Sequence, residues 1–411
     1  DALTADTATC TPCAEGEFQA DSDSTATSCL PYATSQAECD ARGGGGFIAG
    51  TGLADRDTCL PIWNEETTGL YYVQDMTMSG QVSLTGDLTL YGNETSYASS
   101  PTTITAFQTG ENRHFHVQSG HALTIKYLKL TGANKPGSNG GSIYLEDNGS
   151  KLQANYCKFH GNLGSSGGAV TGWIGTLIEI YNSEVTSNSA PNGGGGGILA
   201  YQADMILSDV IVEGNTAGYY GGGIDQWKHS LSMTRVTVKD NTVTSGNSND
   251  SNGGGLLLRY GSVATIRESL FQNNEAGKNG AQASKGNQIF ALKQTSEGGS
   301  PSVTIVNTKF DSSGVSGDDF WFYDYDSSSG TAGLGSAEKV CADADPCTEA
   351  PFTGTCADAG DAPGMLCPDT LTCAAGTYFV PATNALPPDG TECKAHSTSC
   401  EAGEFVGAGS E

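Results

Sequence analysis

Residues 210–224 read VIVEGNTAGYYGGGI, and this stretch decides the fold. An apolar residue, Val212, stands three positions before an asparagine, Asn215, and a glycine cluster follows that ends on an aliphatic residue, Ile224. The arrangement recurs along the middle of the chain at intervals of 26, 27, 26 and 33 residues, measured between Asn162, Asn188, Asn215, Asn241 and Asn274. Such a spacing is too short for a domain and is typical of one turn of a solenoid.

The segments between the glycine clusters are short, β-branched and alternating, as in Thr234–Val238 (TRVTV) and Val303–Val306 (VTIV). Each repeat therefore has room for about three strands of four or five residues. Aligned on the asparagine, the apolar position three residues earlier predicts an inward side chain: Phe159, Val185, Val212, Val238 and Phe271. The sequence predicts an all-β protein built on a parallel β-helix.

Positions six residues before the asparagine belong to the outer surface by the two-residue period of a strand. Asp209, Arg235 and Glu268 occupy this position in consecutive repeats, and we expect them to stack as alternating solvated charges. The asparagine itself suits a corner, because its amide tolerates left-handed backbone angles and can bond to its counterpart in the next coil. The glycines permit positive φ at the next corner.

The two motifs, F/VxxN and GGA/GI/L/V, resemble the repeats of the polymorphic outer membrane proteins and of related β-helix surface proteins. The resemblance covers roughly residues 120–330, with a degenerate sixth copy at Phe310, where Ser313 replaces the asparagine. It implies a right-handed parallel β-helix on a secreted or surface-displayed protein that is often adhesive. The resemblance assigns no catalytic residue to this chain, because the residues that repeat are structural.

Three regions are predicted: a cysteine-rich segment over residues 1–68, the β-helix over residues 69–330 and a second cysteine-rich segment over residues 331–411. The β-helix has room for about nine coils and a length of roughly 40 to 45 Å at the spacing of adjacent strands. Thr244–Asn252 and Ala276–Lys285 interrupt the repeat and are predicted to be insertions at a corner.

The cysteines gather at the two ends and predict a disulfide framework, and hence an oxidising, extracellular compartment. A zinc site at the close pair Cys10 and Cys13 is the alternative reading. Because each cluster holds an odd number, one cysteine of each is expected to be free or to pair between subunits. The disulfide candidates are Cys10, Cys13, Cys29, Cys39, Cys59, Cys341, Cys347, Cys356, Cys367, Cys373, Cys393 and Cys400, and the candidate for a buried free thiol is Cys157.

The end segments also resemble each other. Nineteen residues separate Cys39 from Cys59 and again Cys373 from Cys393, and the sequence GEF follows both Cys13 and Cys400 after two residues. The pattern resembles the small cysteine-rich modules of TNF-receptor and ephrin-receptor-like extracellular proteins. The final CEAGEFVGAGSE reads as the first third of such a module, so the carboxy-terminal module is expected to be incomplete.

Three sequons, at Asn93, Asn148 and Asn249, are candidates for N-glycosylation and agree with an extracellular location. The densest aromatic stretch comprises Phe320, Trp321, Phe322, Tyr323 and Tyr325, and two roles remain open for it. It can cap the last coil of the solenoid, or it can bind carbohydrate through its ring faces.

The chain has 411 residues and a formal charge of −27, which argues against nucleic acid and anionic lipid as partners. The chain contains no run of eighteen apolar residues, so the sequence predicts no membrane-spanning helix. Calcium is compatible with the acidity, but Asp318, Asp319, Asp324 and Asp326 follow no ligand motif and are expected to be solvated. No cofactor or metal is therefore predicted.

Enzymes built on β-helices need carboxylates brought together from neighbouring coils. Asp225 is aligned with Leu199 and Leu257 in the adjacent repeats, so no second acid is expected beside it. His114 and His116 are two possible ligands without a third, and we expect surface or corner residues there.

The sequence thus predicts a non-enzymatic extracellular structural or adhesive protein, a subunit of a surface fibre, coat or appendage such as a flagellar-hair-like filament. Its expected partners are copies of itself, joined through the cysteine-rich ends, or other surface proteins. Two alternatives stay open. One is a polysaccharide lyase or hydrolase on the same fold, and the other is a glycan- or receptor-binding module.

Overall fold

A computed structural model describes residues 58–107, 109–118, 120–244, 253–277, 285–306, 308–311, 318–324, 326–327 and 329–332. Outside these ranges it describes seven further strand segments of two to four residues each. Its middle is a parallel β-helix in which the chain completes nine successive coils between Gly69 and Asp324. The coils contribute strands to three sheets, which we call sheets I, II and III in the order the chain meets them, and sheet II is formed by five of the nine coils.

Sheet I carries two rows of strands that are joined by a bend. The first row contains Gly69–Tyr72, Leu88–Tyr91, Ala122–Lys126, Lys151–Asn155, Leu177–Thr186, Asp204–Glu213, Ser230–Thr234, Val263–Arg267 and Ser302–Val306. Two of these, Leu177–Thr186 and Asp204–Glu213, continue into the second row, whose other members are Met76–Thr77, Thr102–Thr105, Leu128–Thr131, Lys158–His160, Thr237–Lys239, Leu270–Gln272 and Lys309–Asp311.

Sheet II is short and follows the asparagine corner. Its strands are Asn134–Lys135, Leu163–Gly164, Ser189–Ala190, Thr216–Ala217 and Thr242–Val243. Sheet III closes the coil with Val82–Ser83, Phe115–Val117, Ile143–Leu145, Val170–Gly172, Ile198–Tyr201, Ile224–Trp227, Leu256–Arg259, Lys285–Lys293 and Asp318–Asp324, and Ser329–Ala332 pairs antiparallel with the last of these. The one helical turn among the described residues is the 3-10 helix Thr295–Glu297.

The core consists of columns of side chains, because parallel in-register pairing stacks equivalent positions about 4.8 Å apart. One column in sheet I runs through Leu90, Ile125, Ala154, Ile180, Leu207, Met233, Ile266 and Ile305. The predicted inward position three residues before the asparagine is buried in every repeat. The sequence prediction of a parallel β-helix of about nine coils is confirmed.

The left-handed residues lie at two corners, and the asparagine is not one of them. The bend in sheet I falls on the position six residues before the asparagine, where Asp209, Arg235 and Glu268 have φ between 50° and 57°. At the next corner the positive φ belongs to the residue before the asparagine, for example Gly214 before Asn215. The asparagine does not adopt the left-handed conformation that its amide tolerates, whereas the predicted bond to its counterpart in the next coil is confirmed.

The glycine cluster has two causes rather than one. Gly221 has φ 50°, which favours glycine. Gly222 has no such requirement, but a Cβ added to it would overlap the carbonyl oxygen of Gly254 in the next coil. Close contact between successive coils at this corner therefore needs glycine independently of the backbone angle.

The two ends of the solenoid differ. At the first coil Trp63, only 2% exposed, covers the core with its ring 5.6 Å from that of Phe115, and its amide donates to Tyr72 O. Residues from Leu60 to Trp63 thus pack on the solenoid although the sequence assigned them to the cysteine-rich segment. Beyond the ninth coil, Lys339–Val340 pairs in parallel with sheet I at Ile305, and Met365–Leu366 pairs with Lys339–Val340.

The remaining described strands form antiparallel pairs in the cysteine-rich segments. Glu17–Phe18 pairs with Leu30–Pro31, Gly46–Ile48 with Thr58–Leu60, and Thr377–Val380 with Glu392–Ala395. The last two pairs match in register, since Cys59 is opposite Phe47 and Cys393 is opposite Phe379. This match agrees with the similarity of the two end segments in sequence.

Candidate functional site

The outer side of sheet III is covered by large side chains where a solvated sheet would carry polar ones. Alternate residues of its strands point outward, and equivalent positions stack into two columns. The first column contains His116, Tyr144, Thr171, Leu199, Asp225, Leu257, Phe290 and Trp321, and the second Glu146, Trp173, Tyr201, Trp227, Arg259, Leu292 and Tyr323. We call these two columns the aromatic face.

Three rings of consecutive coils touch along the second column. The ring centroids of Trp173 and Tyr201 are 4.2 Å apart with planes at 18°, so these two rings stack. Tyr201 meets Trp227 edge-on at 4.8 Å, and Trp227 meets Tyr260, which lies beside the column, edge-on at 5.0 Å. Aromatic pairs of this geometry contribute about 0.5 to 1.5 kcal/mol each beyond the area that they bury.

A buried ion pair lies in the middle of the face. Arg259 donates through Nε and Nη2 to the two oxygens of Asp225 at 3.0 and 2.6 Å, and both side chains are at most 6% exposed. The guanidinium carbon is 3.9 Å from the ring centroid of Tyr220 and 4.7 Å from that of Trp227. Burial raises the pKa of Asp225, and the Arg259 guanidinium opposes that rise. The pair is therefore held in a cage of rings away from water.

The amino-terminal end of the face carries a second polar group. His116 Nε2 donates to Glu146 Oε2 at 2.7 Å, and the imidazole stacks on Tyr144 with centroids 5.4 Å apart. The guanidinium of Arg113 lies 4.9 Å from the Tyr144 centroid and donates to Ser138 Oγ at 2.8 Å. Burial lowers the pKa of Arg113 to about 10.

His114 lies at a bend immediately before a strand, as a corner residue would, but it is not at the surface. It is fully buried, its Nε2 donates to Ile104 O at 3.1 Å, and Ser142 Oγ donates to its Nδ1 at 3.0 Å. Burial lowers the pKa of His114 to about 4, so the ring is neutral near pH 7. His114 and His116 thus have different surroundings and form no metal pair.

The outer side of sheet I has a different character. Its stacked positions form exposed or half-exposed ion pairs, in which Lys151 meets Glu179 at 2.6 Å, Lys158 meets Glu184 at 2.9 Å and Lys239 meets Glu213 at 3.0 Å. At the bend, Arg235 lies 2.7 Å from Asp209 and 3.6 Å from Glu268. The hydrogen bond from Arg235 lowers the pKa of Asp209.

The five asparagines of the motif form a buried ladder. The first four Nδ2 atoms donate to the next Oδ1, from Asn162 to Asn188 at 3.1 Å and through Asn215 and Asn241 to Asn274 at 2.9 Å, and the Nδ2 of Asn274 donates to Gln288 Oε1 at 2.6 Å. Each Oδ1 also accepts the backbone N–H of the preceding rung, and each Nδ2 also donates to a carbonyl of the preceding coil, as Asn215 does to Val185 O at 2.8 Å. The side-chain amides thus spend their hydrogen bonds within the β-helix and are not available to a ligand.

Cys157 is a buried free thiol. It lies in the core column five positions before the asparagine, where burial raises the pKa of the thiol to about 12. A thiol of this kind is poorly reactive because the thiolate is disfavoured. The backbones of Cys59 and Cys393 lie in the strands given above, and the other ten cysteines lie outside the described residues.

Two of the three sequons are described. Asn93 is half-buried, and its Oδ1 accepts from Thr95 N and Thr95 Oγ1 at 3.0 and 2.8 Å. The loop that it begins packs on the bend of sheet I, where Tyr97 meets the stacked rings of Tyr127 and Tyr156 edge-on. Asn148 is exposed in a turn, and Asn249 lies outside the described residues.

The aromatic stretch near residue 320 is part of the ninth coil and does not lie across its open end. Phe320 and Phe322 pack against the core, whereas Trp321 and Tyr323 pack against the outer cluster of Leu257, Phe290 and Leu292. Side chains of Asp318, Asp319, Asp324 and Tyr325 lie outside the described part, and Asp326 accepts from Thr295 N at 2.8 Å. The stretch extends the aromatic face by one coil.

Sequence reasoning missed Arg259, Glu146 and the continuity of the face. Asp225 was compared with Leu257 in the next coil, but its partner is two residues further along that strand. Glu146 lies 30 residues after His116, which is about one coil length. A search for polar residues separated in the sequence by one coil length, plus or minus two residues, would have found both pairs.

Among the residues that the structure describes, no helix is both long and apolar enough to cross a membrane. No group of three or more His, Cys, Asp or Glu side chains there is arranged to hold a metal ion.

Comparison with protein families matches residues 113–310 to the model described as "Right handed beta helix region". The middle of this chain is a right-handed parallel β-helix. The match begins in the second coil and ends in the ninth, so it covers most of the aromatic face. Searches of curated proteins and of solved structures returned no match.

Proposed function

We propose that the protein is a non-enzymatic adhesive or structural protein of the cell surface or extracellular space, and that it contacts its partner through the aromatic face. The observation that carries this proposal is the difference between the two outer sides of the β-helix. Trp173, Tyr201 and Trp227 line sheet III in consecutive coils, whereas paired charges line sheet I. The three rings are half-buried, and a row of partly accessible aromatic rings with an exposed aliphatic neighbour, Ile174, is typical of an interaction site.

The placement of the carboxylates supports a role without catalysis. Glu146 is in the third coil and Asp225 in the sixth, which separates them by roughly 14 Å at the spacing of adjacent strands. Glycoside hydrolases place their two carboxyl groups about 5 to 10 Å apart. Asp225 is moreover saturated by Arg259 in a buried pair. The polysaccharide lyase or hydrolase is therefore the weaker proposal.

An extracellular location rests on the two cysteine clusters and on the sequons. Joining of subunits into a fibre or coat through the cysteine-rich ends is a proposal from the sequence, because ten of those twelve cysteines lie outside the described residues. A lateral contact along sheet III is compatible with such an assembly, since it leaves both ends of the β-helix free.

The test is retention of the full chain on a panel of immobilised neutral and acidic polysaccharides and on the immobilised chain itself. The face variant is Trp173→Ser with Tyr201→Ser, and the matched control is Tyr181→Ser with Ile211→Ser on the outer side of sheet I. We expect the wild type to be retained on at least one surface of the panel, without releasing new sugar ends from it. The face variant should lose this retention, and the control should keep it. Equal loss in both variants, or turnover of a polysaccharide that Glu146→Gln abolishes, would overturn the proposal.

A further inference from the structure

Trp173 is the first ring of its stack, and one of its two faces has no ring partner among the described residues. Its described ring contact is Tyr201, in the coil that follows. On the other side lies the third coil, where the pairing of Leu145 with Gly172 places Glu146 beside Trp173. Trp173 is half-buried, and its neighbour Ile174 is 42% exposed. The indole and Ile174 thus provide an accessible apolar platform.

Hydrogen-bonding atoms line the edge of this platform. Glu146 is 41% exposed, and its Oε2 receives the bond from His116. In the described part of the chain no contact engages Glu146 Oε1 or His116 Nδ1. An open acceptor pair beside an aromatic plane matches a sugar ring, which has an apolar face and hydroxyl groups around its edge.

Two ion pairs of the face are closed within the protein. Arg259 meets Asp225, and Lys228 meets Glu297 at 3.3 Å. The guanidinium of Arg113 is almost fully buried, and the Glu146 carboxylate accepts from the His116 imidazole. The chain as a whole carries −27, which repels an acidic polymer. A cationic ligand would need several ring faces around the charge, and Trp173 offers one. These properties favour an uncharged ligand.

We propose that Trp173, Glu146 and His116 form a subsite for an uncharged pyranose unit of a polysaccharide, with the sugar on the open face of the indole and its hydroxyl groups donating to the carboxylate and imidazole. The inference rests on the proposed function and names the partner of the same face. The columns repeat at the spacing of adjacent strands, so a polysaccharide bound here can continue along the face over further coils.

The experiment is isothermal titration of the full chain with soluble hexasaccharides of glucose, mannose and galactose, and with a galacturonate hexasaccharide as the acidic comparison. We expect at least one neutral hexasaccharide to bind. Trp173→Ala should weaken that binding by about tenfold or more, which is about 1.4 kcal/mol, because the apolar platform under the sugar ring is removed. Glu146→Gln should weaken it by about three- to tenfold, since a charge-assisted bond becomes a neutral one.

Tyr181→Ala is the matched control, because it removes an aromatic ring from the outer side of sheet I, and it should leave the affinity within about twofold. Affinity for the neutral sugar should also stay constant between about 0.1 M and 1 M salt, over which charge interactions are strongly screened. Melting temperatures of all variants identify any that fail to fold.

Four results would overturn the subsite. They are unchanged affinity in Trp173→Ala, tighter binding of the galacturonate, displacement of the sugar by choline, and a sedimentation shift in Trp173→Ala, which would identify a second copy as the occupant. If Trp173→Ala binds the sugar normally while the double face variant still loses retention on the panel, the subsite fails and the proposed function stands. If neither variant differs from its control, both fail.

Discussion

The outer sides of sheet I and sheet III are built on the same coils with the same register, yet they carry opposite surfaces. On sheet I, Arg235 and Asp209 form an ion pair with side chains 49% and 39% exposed. On sheet III, Arg259 and Asp225 form the same chemical pair with side chains 6% and 2% exposed. The β-helix backbone therefore fixes where side chains stack and leaves the character of each stack to the sequence.

The difference in burial gives the two pairs different energies. An exposed pair gains little, because water and salt screen the charges. A buried pair is costly to break, because the remaining charge has no solvent and no partner. The contrast is open to direct measurement, since both pairs join an arginine to an aspartate one coil away.

The largest effect is expected for Arg259→Met. This change leaves the Asp225 carboxylate buried without its partner and should lower the free energy of unfolding by about 3 to 5 kcal/mol. Urea denaturation followed by circular dichroism measures it. A loss below about 1 kcal/mol would mean that the carboxylate is solvated and that the face is open at this point.

A second variant separates loss of the charge pair from loss of packing. Asp225→Leu with Arg259→Leu matches Leu199, Leu257 and Leu292 in the same columns and should regain at least half of the stability lost in Arg259→Met. The same denaturation experiment applies. A double variant no more stable than Arg259→Met would show that the rings around the guanidinium need its charge.

A pH effect is expected at His114, which immediately precedes a strand of sheet III. Because the folded pKa of His114 is about 4 and its ordinary value is 6.5, the unfolded chain binds more protons between these values. The stability contributed by neutral His114 is therefore complete above about pH 6.5 and is lost as the pH falls towards about 4. Between neutral pH and about pH 4, the free energy of unfolding of His114→Gln should therefore fall by about 1 to 3 kcal/mol less than that of the wild type.

Unfolding free energies of the wild type and His114→Gln at about pH 7 and pH 4.5 provide the comparison. His116→Gln is the matched control, since His116 is partly exposed and faces Glu146. Parallel pH profiles for the wild type and His114→Gln would show that His114 titrates in the folded protein as it does in the unfolded chain.

The smallest effect is expected for Arg235→Met. Its pair with Asp209 is exposed, so the cost should be below about 1 kcal/mol and should shrink further at high salt. Denaturation at low and high ionic strength measures both. A cost comparable to that of Arg259→Met would remove the distinction between the two sides of the β-helix.

Much of this fold could be read from the asparagine and glycine motif because the positions that repeat are the positions that face the core or turn a corner. The exposed Asp209, Arg235 and Glu268 could be placed too, since one alignment column holds all three. Residues of the aromatic face escaped the motif because its outward positions vary between coils. Trp227, Arg259 and Leu292 share a column without sharing chemistry, so only the register brings them together.

The same reasoning explains the errors. Asn215 was expected at a corner because asparagine tolerates a left-handed backbone, but its amide bonds to Asn241 and Val185 O, and Gly214 adopts the turn instead. His114 was expected at the surface or at a corner, on the same strand face as His116, but its side chain is buried. It precedes the strand that begins at Phe115, where alternation does not yet apply.

The central claim is that the outer side of sheet III is the contact surface of this protein. Hydroxyl-radical footprinting of the full chain, with and without the neutral polysaccharide that retains it, tests this most directly. The account predicts that Trp173, Ile174 and Tyr201 become protected while Tyr181 and Ile211 keep their oxidation rates. Protection of Tyr181 and Ile211 with no change at Trp173 would contradict it.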